Sequence, residues 1–179
     1  MKNFFKIALA ISVFLVFLMN SMSVSANKTP VWYGNFDSFI SEMNGYLGSS
    51  YKLCDKKITN NNSDFKCEMH FGKFAYIEYY DGVEKRVPPT ITFFSEDRGN
   101  SIYKIEIFTI NGSDETLGSV ELVRIPLEAI GLSKKSSKYL ACQKNGGKVW
   151  FPEKGQYIIV KKKQDKRYHV FITITAEYS

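Results

Sequence analysis

The chain is poor in the residues and motifs that announce an enzyme. Its 179 residues include two histidines, three cysteines and two tryptophans. No Gly-x-Ser-x-Gly elbow, His-Glu-x-x-His helix, P-loop or dinucleotide fingerprint occurs, which removes the best-marked hydrolase, metalloprotease and nucleotide-binding classes. Paired-Cys/His fingers and aromatic RNP motifs are also missing, so nucleic acid is not the expected partner of a basic chain. Beyond residue 26 no apolar run is long enough to span a bilayer as a helix. What remains is an ordinary globular mix, 44% hydrophobic and 23% charged, which excludes collagen-like, low-complexity and wholly disordered readings.

The sharpest positive signal is at the start. Lys2 and Lys6 precede an apolar run from Ile7 to Met19 interrupted only by Ser12, and Val24, Ser25 and Ala26 fit a Sec-type cleavage site. The run falls short of the roughly 18–20 residues a membrane anchor needs, so a cut after Ala26 is expected. Asn27 rather than cysteine follows the cut, which argues against a lipid anchor there. The expectation is an exported protein, periplasmic or secreted and of bacterial type, with residues 27–179 forming one domain.

Charge is unevenly placed. Without Lys2 and Lys6, 22 basic residues face 18 acidic ones, a net +4. Residues 27–132 carry 11 basic and 15 acidic residues, whereas residues 133–179 carry 11 basic and three acidic. A positive block on a mildly negative body suits an acidic protein surface, with an anionic glycan or lipid headgroup as the alternatives. The block peaks at Lys161, Lys162, Lys163, Lys166 and Arg167, a predicted hairpin tip. Such lysines steer an acidic partner or simply guard an exposed strand.

Three cysteines in an oxidising compartment imply one disulfide and one leftover thiol. A two-residue turn at Asn60–Asn61 sets Cys54 opposite Cys67 at a non-hydrogen-bonded position, within bridging range. That register also places Lys52 and Lys56 beside Phe65 and Met69, against the hydrophobic pattern. A bridge from Cys142 is the other possibility.

Periodicity supplies the fold. Phe36, Phe39, Ile40, Met43 and Leu47 recur at helical spacing after a capping Asn35, with Gly48 as the stop. Phe65, Cys67, Met69 and Phe71 then alternate with polar residues, predicting a strand. Further strands are expected at Phe74–Tyr80, Thr90–Ser95 and Ile102–Ile110. Val120, Leu122 and Arg124 alternate as a strand, with Pro126 opening a short helix. A helix from Ser133 or Ser136 to about Lys144 closes at Gly146 and Gly147. Strands follow at Tyr157–Lys163 and Tyr168–Ala176. The sum is a single α+β domain: a largely antiparallel sheet of about six to eight strands, with two main helices on one side.

The candidate chemistry is sparse. His70 and His169 lie on predicted strands without metal-ligand spacing, so no metal or other cofactor is expected. Aromatic residues form 15% of the chain, with Tyr76, Tyr79 and Tyr80 clustered, a composition suited to contact surfaces. The reading is a small exported binding protein of inhibitor or immunity type, more a binder than an enzyme. Lys161, Lys162, Lys163, Lys166 and Arg167 steer the partner, and Tyr157 and Tyr168 anchor it. The alternatives are an envelope glycan hydrolase using Glu68, Glu78 or Glu106, and a lipid or small-ligand carrier.

Overall fold

The computed structural model describes residues 28–61, 64–72, 76–80, 83–110, 119–132, 137–166 and 169–179. Residues 1–26, the expected export segment, lie outside the described residues, as do Arg167 and Tyr168. Asn35 opens helix α1 (Phe36–Tyr46), its side-chain oxygen accepting the Ser38 N–H at 2.8 Å. That bond satisfies one of the donors a helix start leaves without an intrahelical partner. Phe36, Phe39, Ile40 and Met43 enter the core from one side of α1, and Phe39 meets Phe93 edge to face with 5.5 Å between ring centroids.

The strands are β1 (Trp32–Tyr33), β2 (Leu53–Asn61), β3 (Asp64–Phe71), β4 (Tyr76–Tyr80), β5 (Val83–Val87), β6 (Thr90–Ser95), β7 (Ser101–Ile102), β8 (Lys104–Ile110), β9 (Gly147–Phe151), β10 (Gln156–Gln164) and β11 (His169–Tyr178). Seven of them form one antiparallel sheet in the order β2-β3-β6-β8-β11-β10-β9. Strand β1 pairs with β7 and β4 with β5, each as a separate two-stranded unit. The strand expected at Phe74–Tyr80 forms β4 from Tyr76 on and pairs with β5 apart from the main sheet, while Phe74 and Ala75 lie outside the described residues. Pro89, whose carbonyl accepts the Phe71 N–H, marks the point of return. At the far edge, β9 was not foreseen; it covers only Gln156–Val160 of the longer β10.

Along β8, and along β11 as far as Ile174, burial alternates residue by residue. Ile105, Ile107, Val170, Ile172 and Ile174 are almost fully buried and join the apolar residues of the helices in a single core. The period of two is what a sheet covered on one face demands. The molecule is thus an α+β domain whose antiparallel sheet is packed by three helices, two of them substantial. No helix among the described residues is long and apolar enough to cross a membrane.

Two expectations are corrected. The segment read as a strand at Val120–Arg124 lies inside helix α2 (Ser119–Ala129), with Pro126 within the helix rather than at its start. Leu122, Val123, Ile125, Leu127 and Ile130 are buried, a helical stripe that outweighs the brief alternation. Gly131, at φ +95°, ends α2; its N–H reaches the Glu128 carbonyl, and the Leu132 N–H reaches the Leu127 carbonyl at 3.0 Å.

The second correction concerns the cysteines. The β2–β3 hairpin closes at Asn61 and Asp64, so Cys67 stands opposite Ile58 and Cys54 opposite His70. The register slips between Cys54 and Lys57, where Asp55 adopts a left-handed φ of 57°. This irregularity turns Leu53 into the core and Cys54 away from it. Cys54 and Cys67 are therefore not bridged, and all three cysteines are free thiols. Burial pushes the Cys67 thiol up to about 11 and also raises that of Cys142. Neither group is primed as a nucleophile.

The last helix, α3 (Ser137–Asn145), buries Tyr139 and Cys142 and closes on Gly146, whose N–H reaches the Cys142 carbonyl at 2.9 Å. Glycine is required there twice over: φ is +76°, and a Cβ would meet the Val160 carbonyl oxygen at 2.7 Å.

Candidate binding face of the sheet

The face of the sheet turned away from the core carries the second half of every alternation. Cross-strand register arranges it in rows. One row reads Glu68, Thr92, Glu106, Thr173 and Lys161 across β3, β6, β8, β11 and β10. The next reads His70, Thr90, Phe108, Phe171 and Lys163. Directly opposed residues on one face are near neighbours, so this register joins side chains far apart in sequence. In the middle of the two rows lies a hollow of about 340 Å³, lined by Thr90, Thr92, Glu106, Phe108, Phe171 and Thr173.

The hollow has an aromatic lip and a polar floor. The rings of Phe108 and Phe171 lie 5.2 Å apart, and His169 packs on Phe108 at 5.5 Å. Phe171 is nevertheless 45% exposed. Lys104 Nζ sits 2.9 Å from Glu106 Oε1 and 3.8 Å from the centre of the Phe94 ring, with Lys66 above the same ring. Glu106 and Lys104 thus neutralise each other beside the hollow. His70 Nδ1 is buried and makes no hydrogen bond among the described residues.

The basic cluster expected near the end of the chain divides between the two faces. Lys161 and Lys163 are exposed on the open face, and neither forms an ion pair among the described residues. Lys162 turns to the helical side, where its ammonium donates to the Lys144 carbonyl at 3.3 Å, and desolvation lowers its pKa. A strand sends successive side chains to opposite faces, so three adjacent lysines cannot act as one patch. Lys166 is exposed in the turn beyond the strand. Tyr157 lies on the open face opposite Trp150, with their rings 4.8 Å apart and Lys148 above Tyr157 at 4.1 Å. Trp150 is 40% exposed.

Of the carboxylates considered for catalysis, Glu68 and Glu106 share a row with Thr92 of β6 between them. Glu78 lies on β4 opposite Lys85 and outside the main sheet. Asp97 serves its turn: burial would raise its pKa, but bonds donated by Ser95 and Ser101 prevail and lower it. His169 is held by Asp165, 2.8 Å from Nδ1. The residues that sequence reasoning missed are Thr90, Thr92, Phe108, Trp150, Phe171 and Thr173. Alternation along the last strand already placed Phe171 and Thr173 away from the core side; their neighbours depend on register.

Among known proteins, no family model matches the chain, and neither a curated protein nor a solved structure matches it.

Proposed function

We propose that the protein is an exported, small binding protein that works by protein contact, of inhibitor or immunity type, through the open face of its sheet. The observation that carries this reading is the β9–β10–β11 flank of that face. Exposed Trp150 stands opposite Tyr157 near one end of β10, exposed Phe171 lies opposite Lys163 near the other, and neither Lys161 nor Lys163 is held by an acid among the described residues. Large aromatic side chains near cations are the groups that contribute most at protein interfaces, because they bury much area for few rotatable bonds. Free lysines beside them attract an acidic partner before contact.

The test is capture of partner from an extract of the cell envelope with tagged wild-type protein, Trp150→Ala, and the pair Lys161→Glu with Lys163→Glu. A single stoichiometric protein retained by the wild type, and lost by both folded variants, is expected. Retention of the same protein by both variants would move the interface elsewhere.

A further inference from the structure

We infer that the hollow on the open face holds a short neutral glycan, about two pyranose rings long, which shares Phe171 with the neighbouring protein-contact flank. A pyranose has an apolar C–H face and a rim of hydroxyls, and the hollow offers a complement to each. Phe171 presents nearly half of its surface to solvent at the lip, a platform for the C–H face. Thr90, Thr92 and Thr173 place three hydroxyls around the same space, each able to donate and accept, while the Glu106 carboxylate only accepts. A few converging polar groups beside an aromatic wall are what a small-ligand site requires, and the volume is within the usual range.

Other ligand classes fit less well. An acyl chain would cover three hydroxyls without offering them a partner, at a desolvation cost. An anion would meet Glu106, and a cation would have to displace Lys104, already 2.9 Å from that carboxylate. Sugar hydroxyls impose neither conflict. From Thr92 to Thr173 the face spans two strand spacings, about 9.6 Å, which is the length of two linked rings.

The experiment is an NMR titration of the protein with cellobiose and with N,N′-diacetylchitobiose, following the methyl groups of Thr90, Thr92 and Thr173. Saturable shifts at these methyls with either sugar are expected. Thr173→Val, which keeps the β-branched shape a strand favours but removes one hydroxyl, should weaken binding about fivefold. Phe171→Ala should weaken it at least tenfold, whereas the Lys161→Glu, Lys163→Glu pair should change it less than twofold. Absence of saturable shifts with both sugars overturns the inference, and so does unaltered affinity in both folded Thr173→Val and Phe171→Ala. Because the lysine pair is the variant that removes protein contact, failure of one reading is distinguishable from failure of the other.

Discussion

The two flanks of the open face handle positive charge in opposite ways. On the β2–β3–β6–β8 side three lysines are engaged in ion pairs among the described residues. Lys28 bridges Asp64 and Glu96, Lys56 pairs with Asp37, and Lys104 is shared between Glu106 and the Phe94 ring. On the β10 side Lys161 and Lys163 extend with no acid paired to them among the described residues. The first arrangement consumes charge inside the molecule and ties loops to the sheet. The second keeps charge available at long range. A lysine count cannot separate them, because the distinction lies in where the acids fall.

The comparison is broken most severely on the engaged side. Asp64 accepts from the Tyr103 hydroxyl at 2.6 Å and pairs with Lys28 at 3.3 Å. Asp64→Ala leaves a largely buried phenol without its acceptor and the Lys28 ammonium with Glu96 alone, and should cost about 3 kcal/mol in urea unfolding, with partner capture unchanged. The Tyr103 hydrogen bond, aided by Lys28, holds the Asp64 pKa below the usual carboxylate value. A depressed carboxylate stabilises the fold above the unfolded-state pKa of about 3.9, and the contribution is lost as pH falls through the lower folded value. Wild-type stability should therefore decline below about pH 4, and Asp64→Ala should show less of that decline.

Next in size is the available side. Trp150→Ala should cost about 2 kcal/mol in partner affinity, read by calorimetry, with a smaller change in stability because the ring is already partly in solvent. Lys161→Glu with Lys163→Glu should slow association about tenfold at low salt and flatten its salt dependence. Equilibrium stability should move by less than about 0.5 kcal/mol. The smallest effect belongs to Lys162. Lys162→Met should leave association untouched and shift stability by roughly 0.5 kcal/mol. Desolvation depresses the Lys162 pKa, so the unfolded chain holds that proton more tightly than the folded one. Its linkage makes stability rise with pH between the lowered folded value and about 10.4, and the methionine variant should lack that rise.

Legibility followed the range of the interactions. The cap at Asn35, the stripe of α1 and the alternation of β3 are written within a few residues, and each could be read directly. Helix α2 was missed because Val120, Leu122 and Arg124 satisfy a period of two over five positions, and Pro126 resembles a helix start. The β2–β3 register was missed because the pairing closes at Asn61 and Asp64 instead of Thr59 and Asn62, which sets Cys67 opposite Ile58, and the bulge at Asp55 then moves Leu53 and Cys54 by one residue more. No local pattern announces that exchange. Sequence also shows which face Phe171 and Thr173 occupy, yet not that Thr90 and Thr92, some eighty positions earlier, share it.

The short reach of β9 has a further consequence. Past Val160, β10 continues through Lys161, Lys162, Lys163 and Gln164 with no strand beyond it among the described residues. Unsatisfied backbone groups along such a margin invite a foreign strand, the first event of amyloid-type growth. The lysine run doubles as a colloidal safeguard: alanine replacements there would lower the concentration at which the protein stays monomeric, while glutamates would preserve it. A recombinant stock of the protein should therefore be engineered by reversing those charges, never by erasing them.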